Sequence, residues 1–233
     1  MAEQKYRWLL FDADNTLFNF DAAEEFAVTQ TLLAYGLPAD AETKGRYRAI
    51  NVVLWAAFDR GEISQEELVV ERFARFLKEM ERAGDPAEWN DFYLHRLAEG
   101  SALLPGAEEL CRKLASRYVL ALATNGVPFV QHARLAAAPI GALFDGRVYI
   151  SGELGCRKPE RAFFDRALED LGAAGAREGA LVIGDSLSSD IQGARNAGLD
   201  SVWFNRKGAR RAENIRPTYE AVSFDEIARL LGV

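Results

Sequence analysis

Eight residues that could take part in chemistry stand where the chain leaves a short apolar run, or in the loop that follows one. They are Asp12, Asp14, Thr124, Asn125, Gly126, Lys158, Asp185 and Asp190. Carboxylates are the hard oxygen ligands that Mg²⁺ prefers, usually with substrate oxygens and water in the same shell. A carboxylate can also attack phosphorus, and a lysine can neutralise the charge on a transferring phosphoryl group. These residue types indicate magnesium-assisted phosphoryl chemistry.

The pair Asp12 and Asp14 can divide two roles, since the two residues stand together at the end of one predicted strand. One carboxylate attacks phosphorus and forms an aspartyl-phosphate. The other protonates the leaving oxygen and later activates water. The Thr124 hydroxyl and the backbone N–H groups of Asn125 and Gly126 are candidates to hold the phosphate oxygens.

Five apolar runs are predicted to form strands, and predicted helices separate them in the second half of the chain. The runs span residues 8–11, 118–123, 147–150, 180–183 and 201–204. Such alternation is typical of an α/β fold, a three-layer Rossmann-like core with a parallel sheet between two layers of helices. In open α/β sheets, ligands bind outside the carboxyl ends of the strands. We therefore expect the eight residues to converge at one edge of the sheet.

Residues 21–100 show helix start and stop signals instead of strands. Asp21 with Glu24, and Ser64 with Glu67, have the spacing of capping boxes. A glycine follows each helical stretch, which is a common way for a helix to end. Four capped helices in a row predict a small four-helix bundle inserted after the first strand.

Composition and charge limit the class of protein and of partner. The chain has 233 residues, of which 49% are hydrophobic and 27% charged, as in soluble globular proteins. The formal net charge of −7 argues against nonspecific binding of nucleic-acid polymers. No run approaches the ~20 apolar residues of a membrane span, and no signal peptide is evident. With only two cysteines, the expected location is the cytoplasm.

The order Asp-x-Asp-x-Thr, Thr-Asn-Gly, Lys-Pro and Gly-Asp-x4-Asp resembles the four motifs of the haloacid-dehalogenase-like (HAD) hydrolase superfamily. All four motifs are present, and in the superfamily's order. The resemblance implies a HAD-like catalytic core over residues 1–17 and 101–233, and a helical cap over residues 18–100. It also implies Mg²⁺ as the cofactor.

The resemblance assigns a role to each matching residue. Asp12 corresponds to the nucleophile and also to a metal ligand, and Asp14 to the general acid and base, with its backbone carbonyl on the metal. Asp185 corresponds to a direct metal ligand, and Asp190 to an acid that supports the metal shell or the lysine. Lys158 corresponds to the charge-neutralising lysine. Phosphate binding is assigned to Thr124, Asn125, Gly126 and Lys158.

Asp14 separates two reactions within the superfamily, because its dehalogenases lack this second aspartate. Its presence favours a phosphatase. Residues 11–21 and 184–194 further resemble the YjjG-type pyrimidine 5′-nucleotidases. This implies a Mg²⁺-dependent phosphomonoesterase acting through a phospho-aspartate on a nucleoside 5′-monophosphate, as a monomer or homodimer without a membrane partner.

Several alternatives stay open at this point. The chain could be a sugar-phosphate or phosphoglycolate phosphatase, a phosphomutase, or a non-catalytic binding protein of the same fold. We expect Thr16 to support the first loop through a hydrogen bond. Phe18 and Phe20 are candidates to stack on a nucleobase, since they follow the catalytic loop.

Overall fold

The structure, a computed structural model, describes residues 5–210 and 214–233. It divides into two compact units. One contains the chain up to Asn19 and the segment Ser101–Val233, and the other is Phe20–Gly100. The first boundary lies two residues beyond the predicted one because Phe18 forms backbone bridges with Asp14 and Leu103, which keep it in the first unit.

The first unit is built on one parallel six-stranded sheet. Its strands are β1 (Trp8–Phe11), β2 (Val119–Thr124), β3 (Val148–Ile150), β4 (Ala180–Gly184), β5 (Asp200–Phe204) and β6 (Tyr219–Ala221). Their order in the sheet is β3-β2-β1-β4-β5-β6. The α/β prediction is confirmed and the five predicted strands are present. The sequence analysis missed β6, a Tyr-Glu-Ala segment with a single buried side chain and no apolar run.

Helices cover both faces of this sheet. They are α5 (Ala107–Ala115), α6 (Pro128–Ala137), α7 (Gly141–Phe144), α8 (Ser151–Leu154), α9 (Arg161–Asp170), α10 (Gln192–Ala197) and α11 (Phe224–Leu231). Because side chains alternate along a strand, Leu9 and Phe11 pack in one core with α5 and α11. Trp8 and Leu10 pack in the opposite core, with α9 and α10.

The strand order places a switch point beside β1. Leu10 of β1 pairs with Ala121 of β2 on one side and with Val182 of β4 on the other. The chain runs from β1 to β2 and β3 on one side, then returns to β4 next to β1. Open α/β sheets bind ligands at such a point, outside the carboxyl ends of the strands.

The second unit contains four helices, as predicted. They are α1 (Phe20–Ala34), α2 (Ala41–Asp59), α3 (Gln65–Glu79) and α4 (Pro86–Ala98). The Ser64–Glu67 capping box is present, with both reciprocal hydrogen bonds. The Asp21–Glu24 box is not, because α1 already begins at Phe20 and Asp21 lies inside its first turn. Among the helices that the structure describes, none is long and apolar enough to span a membrane.

Candidate active site

The Lys158 ammonium lies at the centre of the candidate site and is almost completely buried. Its Nζ is 2.7 Å from Asp12 Oδ1, 2.6 Å from Asp190 Oδ1 and 2.7 Å from the carbonyl oxygen of Ala123. An ammonium carries three hydrogens, so each acceptor can receive one. Burial alone would lower the pKa of Lys158, but the Asp12 and Asp190 carboxylates outweigh it and hold the pKa above its ordinary value. Lys158 is a fixed positive charge beside Asp12.

Asp190 connects the last motif to this lysine. Its Oδ1 accepts from Lys158 and its Oδ2 accepts from the backbone N–H of Ser186, at 3.0 Å. A Cβ on Gly184 would lie 2.2 Å from Asp190 Oδ2. The glycine of the motif therefore leaves the space that the Asp190 carboxylate occupies. Of the two roles implied for Asp190, support of the lysine is the one whose contacts are visible.

Three carboxylates share this centre. Asp12, Asp185 and Asp190 each place an oxygen within 4.8 Å of the others. Burial, and next the charge of Asp190, raise the pKa of Asp185 to about 7. Burial also raises the pKa of Asp12 well above its ordinary value, against the pull of Lys158. One ammonium offsets only part of this negative charge, so the oxygen donors suit a hard divalent cation such as Mg²⁺.

The turn after β2 ties the second motif to the lysine. Asn125 Nδ2 donates to the carbonyl oxygen of Lys158 at 2.8 Å, and the Lys158 N–H donates back to Asn125 Oδ1 at 3.0 Å. The Gly126 N–H donates to the Thr124 hydroxyl oxygen at 3.0 Å. In this structure Thr124, Asn125 and Gly126, three of the four residues predicted to bind phosphate, thus stabilise the turn and the lysine backbone, and phosphate binding by them stays a prediction.

Two residues that the sequence analysis missed contact Asp14. Gln131 Nε2 lies 2.7 Å from Asp14 Oδ2, and an Nη atom of Arg134 lies 2.5 Å from Asp14 Oδ1. Both residues belong to α6 and are buried with Val130 and Leu135. The available signal was polar residues on the apolar side of an amphipathic helix that follows directly after Thr-Asn-Gly.

A cavity of about 90 Å³ adjoins Asp185. Asn15 lines it from the first loop, and Arg206 and Lys207 line it from the loop after β5. The charge of Lys207 acts to lower the pKa of Asp185 and so opposes the effect of burial. Cationic side chains beside a carboxylate centre can attract an anionic substrate although the chain as a whole is acidic.

Two expectations for the first loop are wrong. The Thr16 hydroxyl is buried and makes no hydrogen bond with any residue that the structure describes, because the loop is held by backbone bonds instead. Phe18 is fully buried, and its ring centre lies 4.6 Å from Arg134 Cζ. It supports a guanidinium and presents no face for a base. The expectation for Phe20 stays a prediction.

Comparison with protein families assigns most of the chain. The model of the haloacid dehalogenase-like hydrolase family matches residues 6–198. Pyrimidine 5′-nucleotidase PynA of Streptococcus pneumoniae is 37% identical over 223 residues, which cover 95% of this chain and 93% of PynA. Pyrimidine 5′-nucleotidase YjjG of Escherichia coli is 34% identical over 227 residues, 97% of this chain and 98% of YjjG.

A solved structure shows the same fold over nearly the full length. The HAD-hydrolase YfnB of Bacillus subtilis is 35% identical over 230 residues, 99% of this chain and 97% of YfnB. Its crystal structure, bound to magnesium, superposes with a TM-score of 0.92 and covers 98% of this chain and all of the YfnB chain. That structure is described as revealing interdomain movement.

Proposed function

Since the chain belongs to the haloacid dehalogenase-like hydrolase family, we propose that it is a Mg²⁺-dependent phosphomonoesterase that hydrolyses nucleoside 5′-monophosphates, pyrimidine ones above all. The observation that carries this proposal is the Lys158 ammonium bound to Asp12 and Asp190, with Asp185 in the same cluster. A buried nucleophilic carboxylate beside a fixed cation suits attack on an anionic phosphoryl group. The substrate class rests on the relatives named pyrimidine 5′-nucleotidase.

In the first step, an Asp12 carboxylate oxygen attacks phosphorus in line with the ester oxygen. The new bond joins Asp12 to phosphorus, and the bond between phosphorus and the nucleoside 5′ oxygen breaks. Asp14 gives its proton to that leaving oxygen, so a neutral alcohol departs. Lys158 stays hydrogen-bonded beside the reacting carboxylate and offsets the charge that gathers on the phosphoryl oxygens.

In the second step, water attacks the phosphorus of the phospho-aspartate. Asp14, now ionised, takes a proton from this water. The bond between phosphorus and Asp12 breaks, which releases inorganic phosphate and restores the Asp12 carboxylate. Asp14 ends the cycle protonated, as it began.

Asp12 and Asp185, with the backbone carbonyl of Asp14, are the groups that would hold Mg²⁺. When bound, the ion supplies positive charge that polarises the phosphoryl group and orients its oxygens. Asp190 supports the lysine, since its Oδ1 accepts from Lys158 while its Oδ2 accepts from the Ser186 N–H.

A substrate panel tests this function. Phosphate release is measured with Mg²⁺ and with EDTA for pyrimidine and purine nucleoside 5′-monophosphates, sugar phosphates and phosphoglycolate. We expect Mg²⁺-dependent release with the highest kcat/KM for pyrimidine nucleotides. A higher kcat/KM for a sugar phosphate or phosphoglycolate would show that the substrate belongs to that class and not to the nucleotides. Phosphate movement within a substrate without release would indicate a mutase, and no turnover of any phosphomonoester would indicate a binding protein.

A further inference from the structure

The Asp14 carboxylate is held by two side chains of α6 that no step of the proposed reaction uses. We propose that Gln131 and Arg134 are positioning residues, which orient Asp14 for its two proton transfers. The proposal rests on the proposed function, since it assigns these residues to the same site. It concerns where the Asp14 carboxylate points and which groups keep it there.

Each oxygen of the carboxylate has its own donor. Gln131 Nε2 donates to Oδ2 at 2.7 Å, and Arg134 donates to Oδ1 at 2.5 Å. The two donors stand three residues apart on α6, so they share one face of the helix. Because the two donors bind both oxygens, rotation of the carboxylate about the Cβ–Cγ bond of Asp14 would break both contacts.

Arg134 cannot easily follow a moving carboxylate. Its side chain is completely buried, whereas that of Asp14 is 25% exposed. The guanidinium contacts both the Asp14 carboxylate and the ring of Phe18, whose centre is 4.6 Å from Arg134 Cζ. Phe18 is fully buried, and its backbone pairs with that of Asp14. The loop that carries Asp14 therefore also supplies the surface against which the arginine rests.

Gln131 reaches Asp14 across the turn of the second motif. A Cβ on Gly126 would lie 2.0 Å from Gln131 Nε2 and 2.8 Å from its Cδ. Only a residue without a side chain at position 126 leaves this path open. The Thr-Asn-Gly turn thus contributes twice: Asn125 bonds to the backbone of Lys158, and Gly126 leaves the space that the Gln131 side chain occupies.

A proton donor that is partly exposed needs such support. The terminal torsion of an aspartate is broad, so an unrestrained carboxylate samples many orientations. A general acid must lie within hydrogen-bond reach of the atom that it protonates. A misplacement of roughly 1 Å can cost about 10²-fold in rate. Loss of the two donors should therefore slow the steps that need Asp14 and leave substrate binding nearly unchanged.

The leaving group separates this role from a general loss of structure. A nucleoside alkoxide is a poor leaving group and needs the proton from Asp14, whereas p-nitrophenolate leaves with little help. For Gln131→Met and Arg134→Met we expect kcat/KM on a nucleoside monophosphate to fall about 30-fold or more. On p-nitrophenyl phosphate we expect kcat/KM to fall by less than about 5-fold, because kcat/KM covers only the steps up to departure of the leaving group, whereas kcat also contains the hydrolysis of the phospho-aspartate, which needs Asp14 for either substrate.

A matched control uses the other fully buried arginine described here. Arg72 lies in the second unit, donates to Asn90 at 2.7 Å and stacks over Tyr93. Arg72→Met removes a buried guanidinium of the same size, and we expect the ratio of kcat/KM for the two substrates to stay at the wild-type value. Arg134→Lys, which keeps a cationic donor, should recover part of the lost ratio.

A double-mutant cycle tests the contact without any turnover. Unfolding midpoints in urea are measured for wild type, Gln131→Met, Asp14→Ala and the double variant. We expect the Gln131→Met shift to shrink when Asp14 is already changed. Additive shifts would overturn the contact. Equal falls of kcat/KM on both substrates, or a rise on the nucleotide, would overturn the positioning role.

The failure of the proposed substrate class looks different from the failure of this proposal. If the wild type hydrolyses p-nitrophenyl phosphate but no nucleotide, the proposed substrate class is wrong. Glycerol phosphate then replaces the nucleotide as the substrate with a poor leaving group. The expected ratio with that alkyl ester would still support the positioning role, and an unchanged ratio would overturn it. If the wild type hydrolyses no phosphomonoester, the phosphatase proposal fails and the positioning role falls with it, whatever the unfolding cycle shows.

Discussion

Both units of the molecule bury polar groups, but they satisfy them differently. In the first unit, Lys158 meets three acceptors and both oxygens of Asp14 have a donor. In the second unit, Arg72 donates to Asn90, yet its Nε and the hydroxyls of Tyr47 and Tyr93 make no hydrogen bond of ordinary geometry with described residues. Lys158, Arg72, Tyr47 and Tyr93 are buried, and the side chain of Asp14 is 25% exposed.

The difference shows where the chain needs fixed charges. A fully bonded polar network holds one arrangement, and catalytic groups gain most from such preorganisation. A partly bonded network carries desolvation costs that ordered water can relieve. The lysine centre of the first unit therefore has the features of a preorganised site, whereas the Tyr47 and Tyr93 hydroxyls of the second unit lack them, as does the Thr16 hydroxyl of the first. Four measurements test this contrast.

The largest expected effect is on catalysis in the first unit. Asp12→Asn keeps the size of the side chain but removes the carboxylate proposed as the nucleophile, so we expect kcat for phosphate release to fall by about 10⁴-fold or more. Thermal unfolding and circular dichroism should show a folded protein. Substantial phosphatase activity in purified Asp12→Asn protein would contradict the proposed mechanism.

The two buried cations should differ in their effect on stability. Lys158→Met leaves the Asp12 and Asp190 carboxylates buried without their cation, a change that typically costs about 3–5 kcal/mol. Arg72→Met leaves the Asn90 amide without its donor and removes a positive charge that acts on the Glu24 carboxylate, which costs about 1–3 kcal/mol. Urea unfolding at pH 8 in EDTA measures both. Equal losses in the free energy of unfolding would show that the two buried cations contribute equally to stability.

A smaller effect follows from the pKa of Asp185, which is raised to about 7. Without metal, the folded protein keeps a proton on Asp185 that the unfolded chain releases, so stability falls as the pH rises from about 4 to 7. Metal binding needs the ionised carboxylates. We therefore expect Mg²⁺ to raise Tm by several degrees at pH 8 and by less than about half as much at pH 5.5.

The control for this measurement is Asp185→Asn, which removes one of the oxygen charges that would hold the ion. In that variant the Mg²⁺-dependent rise in Tm should disappear at both pH values. A rise of equal size at both pH values in the wild type would show that the ion does not compete with protons at this cluster.

The smallest effects come from single hydroxyl groups. Tyr93→Phe removes a buried hydroxyl that makes no good hydrogen bond, so unfolding should change by less than about 0.5 kcal/mol or become slightly harder. Thr124→Val removes the acceptor of the Gly126 N–H and should cost about 1 kcal/mol. Calorimetry of both variants compares them. A larger loss in Tyr93→Phe would show that the second unit is as tightly bonded as the first.

Local patterns were enough to predict the elements and the first set of site residues. The apolar run Trp8–Phe11 and its abrupt end at Asp12 are visible in the sequence, and so is the capping box at Ser64. Such signals depend on neighbours within a few positions, so they survive without knowledge of the fold. The three-residue strand β6 and the first residue of α1 were not predicted, because their boundaries depend on packing.

The sequence by itself determined which groups can do chemistry here, because each motif is a short string at the end of a strand. Only the tertiary structure decided what each group touches. Gln131 and Arg134 are 117 and 120 residues away from Asp14 along the chain. Their contact exists because α6 packs beside the first loop, and no local periodicity encodes which distant carboxylate a buried arginine will meet.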